Sequence, residues 1–403
     1  MTISRRTMLM LAGGALMPWT PGVNIALGAD VGAPRNILVY IFLRFGMDGL
    51  HLLAPADDGA YRQMRPSIAI NTVGLNAAPA LAKLDGVQFF LHPDAGQLRQ
   101  MFIDKELAFV HAVGAPTQLR SHFEVQEMVD KGIGDADIGV TNGWLARHLL
   151  TRVGPASEFL ATADSVIGTS PLRGTSGIVP TTELESLPYY IDNERGDLMS
   201  ALNKGNTPSA KSVQTTLKIC QVVRERVSTL PRTPNPNYTF GNLSNKLQPL
   251  ARAIKMNMGI EVATVDYGGW DHHEYINNNF SNSVEELSNA LYAFTDDLGP
   301  TLMSRVTIAV QTEFGRRAYE NATYGTDHGA ASVMMVMGAG VAGGKIYGQW
   351  PGMKDNQLDG GDLAVTTDSR QVLSEILTTR MSQERITSVF PSVAYKPLGL
   401  ISG

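Results

Sequence analysis

Six side chains able to grip a divalent cation stand beside glycines near the ends of apolar runs. Asp271 and His273 lie in Gly269-Trp270-Asp271-His272-His273-Glu274, and Glu313 lies in Thr312-Glu313-Phe314-Gly315-Arg316. Asp327 and His328 lie in Gly325-Thr326-Asp327-His328-Gly329, and Asp48 lies in Gly46-Met47-Asp48-Gly49. Imidazole nitrogen and carboxylate oxygen together suit zinc, manganese, magnesium, calcium or iron, with zinc the first choice for this donor mix. Bound ions of this kind polarise a phosphoryl oxygen or sharpen a nucleophile. Cys220 is the only cysteine, so no thiol cluster can hold a structural ion and any metal rests on His, Asp and Glu.

A nucleophile is the missing part, and Arg120-Ser121-His122-Phe123-Glu124 supplies the best candidate. It follows an apolar run and opens a helix, with Phe123, Val125, Met128 and Val129 apolar. A serine at a helix N-terminus sits where backbone N–H groups and the dipole favour an anion. Ser121 could attack a phosphoryl group held there, with Arg120 on its oxygens and with His122 and Arg316 as further substrate contacts. The competing reading is structural: Ser121 and Glu124 have capping-box spacing, so Ser121 could only close the helix.

Each ligand has a structural alternative as well. Asp48 between glycines could hold a turn. Asp327 could orient His328 from behind. Glu313 could pair with Arg316 or Arg317. Neighbouring residues on a strand point to opposite faces, so only one of His272 and His273 reaches a shared site. His273, two residues from Asp271, is that one, and His272 is expected in solvent. His51, His92 and His148 carry no cluster and read as structural, while His111 sits within an apolar strand and reads as a core histidine.

The elements that must position these groups follow from the apolar runs. Asn36–Leu43, Leu107–Val113, Ile260–Val265, Val306–Val310 and Val333–Met337 are continuous and rich in β-branched residues, the pattern of strands buried on both faces. Between the third and fourth, Ser283 and Glu286 have capping-box spacing. Val284, Leu287, Leu291, Phe294 and Leu298 continue that helix as an apolar stripe. A last helix is predicted over residues 368–377. This order implies an α/β fold with a mostly parallel central sheet and helices on both faces. Functional groups in such sheets gather at the carboxyl ends of the strands. Residues 193–258 differ, being rich in Asn, Ser, Thr and Lys, and read as a helical insertion. Two helices are expected there, one through Val213, Leu217, Cys220, Val223 and Val227, the other through Leu243, Leu247, Leu250 and Ile254 despite Pro249.

The N-terminus sets the compartment. Ser4-Arg5-Arg6-Thr7-Met8-Leu9 is followed by a short apolar stretch and then small residues up to Ala29, the order of a twin-arginine export signal. Residues 1–29 are therefore expected to be a signal and residues 30–403 a single domain, periplasmic or secreted. Without residues 1–29 the chain holds 31 basic and 38 acidic residues, a net charge of −7. That balance excludes nucleic acid as the natural partner, because affinity there rests on clustered Lys and Arg. No segment is long and apolar enough for a transmembrane helix.

Taken together the motifs resemble the exported bacterial proteins of the domain-of-unknown-function-1501 family, within the alkaline-phosphatase and sulfatase superfamily. The resemblance rests on the Asp48, Ser121, Asp271, Glu313 and His328 segments quoted above. It also rests on Arg65-Pro66, Leu91-His92-Pro93, Tyr347-Gly348 and Trp350-Pro351-Gly352. It implies an alkaline-phosphatase-like fold in which Asp48 holds one metal, Ser121 is the nucleophile, and Asp271 with His273 holds a second metal. It also implies a Thr-X-Asp-His pair, where this chain has Thr312-Glu313-Phe314-Gly315 with no histidine. The Asp-His pair comes later, as Asp327-His328. The expectation is an exported hydrolase of phosphate or sulfate esters, acting on a small-molecule or polymer substrate with one or two divalent ions. The alternatives are a non-catalytic envelope or scaffold protein with a protein partner, and a metal-binding protein that keeps the fold.

Overall fold

The computed structural model describes residues 23–27, 35–151, 160–161, 171–174, 179–180, 189, 191–230, 235–257 and 259–402. Its strands, in chain order, are β1 (Val23–Leu27), β2 (Ile37–Leu43), β3 (Leu53–Ala54), β4 (Ala80–Leu84), β5 (Val87–Leu91), β6 (Leu107–Gly114) and β7 (Leu160–Ala161). There follow β8 (Val179–Pro180), β9 (Ile260–Tyr267), β10 (Val306–Thr312), β11 (Ser332–Gly338), β12 (Ile346–Tyr347) and β13 (Thr367–Asp368). The helices are α1 (Gly49–Leu52), α2 (Gly59–Met64), α3 (Gly96–Ile103), α4 (His122–Lys131), α5 (Trp144–Thr151) and α6 (Asn193–Leu202). After them come α7 (Pro208–Val227), α8 (Asn242–Lys255), α9 (Ile276–Met303), α10 (Ser369–Arg380) and α11 (Ile386–Val389).

All five expected apolar strands form, and they share one sheet. Its order is β12-β6-β11-β10-β2-β9-β1-β7, and β3, β4 and β5 make a separate small sheet. The centre is parallel: β10 runs beside β2 from Val306 opposite Ile37 to Thr312 opposite Leu43, and β2 runs parallel to β9. β11 instead lies antiparallel between β10 and β6. That reversal has a consequence for the site. Two antiparallel pairings return β6 to the direction of β10, so the carboxyl ends of β2, β6, β9 and β10 share an edge with the start of β11. His328, four residues before β11, therefore reaches the same edge as Glu313, just after β10.

Alternation along β2 divides the core. Ile37, Val39, Ile41 and Leu43 join one apolar cluster with Leu98 and Phe102 of α3, Leu247 of α8 and Val284, Leu287, Leu291 and Phe294 of α9. Leu38, Tyr40 and Phe42 join the other, with Val125 of α4, Trp144 of α5 and Val372, Leu373 and Ile376 of α10. Helices thus cover both faces, as burial on both sides of a continuous apolar strand requires.

α9 begins at Ile276, so Ser283 lies inside it and bonds back to the Asn279 carbonyl, and Glu286 accepts from Tyr267 and Leu243. The tie to Leu243 anchors α8, whose Leu243, Leu247 and Leu250 are fully buried; α8 is part of a core layer, with Pro249 within it. β1, inside the stretch expected to be an export signal, pairs antiparallel with β9 from Val23 to Leu27. The twin-arginine motif itself lies outside the described residues. Among the described residues no helix is long and apolar enough to cross a membrane.

Candidate metal centre

Three imidazoles and one carboxylate converge at the shared strand edge. His122 opens α4, Asp271 and His273 follow β9, and His328 precedes β11. One oxygen, Asp271 Oδ1, lies 2.9 Å from His273 Nε2, 3.4 Å from His122 Nε2 and 3.4 Å from His328 Nε2. His273 Nε2 and His328 Nε2 are 3.0 Å apart. The ligand atoms of His122, Asp271 and His328 all lie within 4.8 Å of one another.

The Nδ1 partners decide what these nitrogens can do. His122 Nδ1 lies 2.7 Å from Glu313 Oε1, His328 Nδ1 lies 2.7 Å from the Arg120 carbonyl, and His273 Nδ1 lies 3.1 Å from Asp327 Oδ1. A carboxylate or carbonyl oxygen can only accept, so each Nδ1 carries the proton and each Nε2 presents a lone pair. The His122 and His328 lone pairs thus lie within 4.8 Å of each other and of an Asp271 oxygen, and His273 Nε2 stands beside His328 and Asp271, 3.4 Å from Arg316 Nη1. His122 Nε2 is buried without a hydrogen-bond partner. This is the arrangement of metal-ligating histidines, whose second nitrogen is fixed by a carboxylate or carbonyl. The spacing agrees. Four ligands at about 2.0–2.1 Å from a tetrahedral ion stand roughly 3.3–3.4 Å from one another.

Asp271 is held ready. Burial pushes its carboxyl up, but the hydrogen bond and charge of Arg316 outweigh that and bring it down to about 2. Burial pushes the His328 imidazolium down, which favours the neutral, ligating form.

Several predicted site residues do other work. Asp48 is not at the cluster: its carboxylate accepts from Arg65 Nη1 at 2.9 Å, Thr326 Oγ1 at 3.0 Å and the His51 N–H, leaving no free oxygen for a metal. Burial raises its pKa and the Arg65 charge more than reverses this. Glu313 is fully buried and accepts from the Phe45 N–H, Gln126, Thr312 and His122, so it orients His122. Asp327 likewise serves His273 and accepts from Asn321. Asp48 and Glu313 have both oxygens engaged, and Asp327 is turned to His273 and Asn321 through Oδ1.

Both candidate anion-binding arginines are also consumed. The Arg120 guanidinium donates twice to Asp362 at 2.9 and 2.8 Å. Arg316, buried, donates to the carbonyls of Gly46, Phe45, Trp270 and Thr326 and to Asp271 at 2.7 Å. It ties the segments after β2, after β9 and before β11 to one carboxylate. Arg44, also buried, fixes α4 to the end of β9 through Asp130 and Asp266, which sets the position of His122. Ser121 occupies the N-cap of α4 and makes no side-chain cap bond. It stands between Arg120, whose carbonyl holds His328, and His122 itself.

His122 is the donor that sequence reasoning assigned to the substrate instead. Its signal was present: the first residue of a helix after a central strand, one position from the candidate nucleophile. His272 is not in solvent but buried, its ring against Trp270 and Phe280. Neighbouring side chains do point apart here, and the opposite side is core.

Residues 240–378 match the model of the family DUF1501, described as a protein of unknown function. The match supports that family for this chain. The matched span carries Asp271, His273, Glu313, Arg316, Asp327 and His328, while Asp48, Ser121 and His122 precede it. No curated protein matches the chain. Among solved structures it is similar to the C-terminal periplasmic domain of EcEptC from Escherichia coli in complex with Zn. The identity is 8% and the TM-score 0.32, over 80% of this chain and 77% of that one. A likeness this low sets neither the fold nor the chemistry of this chain.

Proposed function

We propose that this protein is an exported, metal-dependent hydrolase of phosphate or sulfate esters, of alkaline-phosphatase-like fold. One observation supports it above the rest: His122, His328 and Asp271 bring metal-ligating atoms within 4.8 Å of one another, with His273 next to Asp271 and His328, beside a serine at a helix N-terminus. The export reading is supported by the Arg5-Arg6 motif. The donor set fits a single ion, since both oxygens of Asp48 and of Glu313 are engaged elsewhere, Asp327 serves His273, and Arg316 adds a positive charge at the Asp271 carboxylate. Neutral imidazoles with one carboxylate favour zinc, with manganese or iron next; a centre for magnesium or calcium would present more oxygen.

The ion supplies Lewis-acid polarisation of the ester when bound. The chain's own residues do the rest. Asp271 lowers the charge of the centre. Glu313, Asp327 and the Arg120 carbonyl hold the three imidazoles in their ligating tautomer. Ser121, free of a capping bond, is the nucleophile: its Oγ gives its proton to water and bonds to phosphorus or sulfur as the bond to the leaving oxygen breaks, the leaving group is protonated from solvent, and a second water later releases the serine ester. The first N–H groups of α4 have no partner within the helix and face the anion's side of it.

A second reading, metal binding without turnover, is favoured by one finding: among the described residues, Arg120 and Arg316, the arginines at the centre, are both engaged elsewhere. Assay of the metal-loaded protein against aryl phosphates, phosphodiesters and sulfates, wild type beside Ser121→Ala, tests both. Hydrolysis lost in Ser121→Ala supports the hydrolase. Equal rates exclude Ser121 as nucleophile, and no hydrolysis with a full complement of metal favours the second reading.

A further inference from the structure

Phe45 stands where neither the backbone nor the core requires a phenylalanine. Its φ of 83° lies in the left-handed region that glycine enters freely and that side chains resist. The conformation is fixed from both ends. Its N–H donates to the Glu313 carboxylate and its carbonyl accepts from Arg316 Nη2 at 2.8 Å. The residue nonetheless stays 38% exposed. It lies edge-on to His122, with ring centroids 5.4 Å apart at 77°, and passes over Gly268, where an added Cβ would meet it at 3.5 Å. A strained residue that packs poorly, in contact with a ligating imidazole, is the kind of outlier that marks a functional surface.

The surroundings indicate what that surface takes. Leu119 and Phe123 are exposed on the same segment as Ser121 and His122. Among the described residues, the cations on this segment and against Asp271, Arg120 and Arg316, are committed elsewhere. We infer that Phe45 forms an apolar subsite beside the metal centre that takes a planar hydrocarbon group, such as the aryl group of an ester, by offset or edge-on ring contact. This rests on the ester-hydrolase reading for the identity of the reacting group.

Titration of the zinc-loaded protein with phenylphosphonate and with methylphosphonate tests it without turnover. Wild type should bind the phenyl compound roughly 3- to 10-fold more tightly. In Phe45→Gly, whose backbone suits φ of 83°, that preference should fall to about one with methylphosphonate affinity unchanged; Phe45→Leu, apolar but not flat, should keep only part of it. Equal affinities in wild type, or a preference that survives in Phe45→Gly, would overturn the subsite. So would weaker methylphosphonate binding by the same factor in Phe45→Gly, since that marks a structural role. Failure of wild type to bind either phosphonate would overturn the ester-centre reading itself and the subsite with it.

Discussion

At the scale of single residues, the cluster separates groups that could touch an ion from groups that hold them. His122→Ala removes a donor and should cost the protein its metal. Glu313→Gln keeps a partner for His122 but no longer fixes its tautomer, and should weaken metal binding by roughly 10- to 100-fold, read by competition with a chelator. Asp48→Asn makes the opposite pair. It leaves the cluster intact but breaks a buried ion pair with Arg65, so metal content should hold while stability falls by about 3–5 kcal/mol in denaturant titration. Loss of metal in Asp48→Asn would restore it as a ligand. The residue types announced a metal site in the sequence. They could not say which carboxylates were free, because an aspartate already claimed by Arg65 and Thr326 looks the same in a sequence as one that is not.

At the scale of elements, close backbone approaches fix the loops that carry the donors. Arg316 and His328 form a bridge between their chains, and an added Cβ on Gly329 would lie 2.3 Å from the Arg316 carbonyl carbon. Gly325 abuts the His273 backbone at 2.2 Å in the same sense. Gly329→Ala should therefore move His328 and Arg316 apart, costing about 1–3 kcal/mol of stability and weakening the centre in step. Unchanged thermal midpoint and metal affinity would show that the loops have slack. The central strands were legible because burial on both faces writes itself as an unbroken apolar run. The direction of β11 was not, since no periodicity distinguishes parallel from antiparallel strands. The start of α9 was missed for a related reason: Asn277, Asn278 and Asn279 give its first turn a polar character that hides a helix.

For the molecule as a whole, buried histidines link stability to pH. Burial pushes His51 down to about 3 and His92 down to about 4. In the unfolded chain both take up a proton near 6.5. Between these values the unfolded state binds more protons than the fold, so stability should fall as pH drops from about 6.5 toward 4. His51→Phe should flatten that slope in equilibrium unfolding measured across this range, and an identical slope would show that His51 does not contribute. The layered α/β plan could be read from element order. The engagement of Asp48 and Glu313 elsewhere could not, because it depends on the distant partners Arg65 and Gln126.

The claim on which the rest depends is that three Nε2 lone pairs and Asp271 grip one ion. Metal analysis of protein purified without chelator tests it directly, with wild type, His122→Ala and Asp48→Asn compared. One ion per chain in wild type and in Asp48→Asn, and essentially none in His122→Ala, is the predicted result. Two ions per chain, or full metal content in His122→Ala, would contradict it.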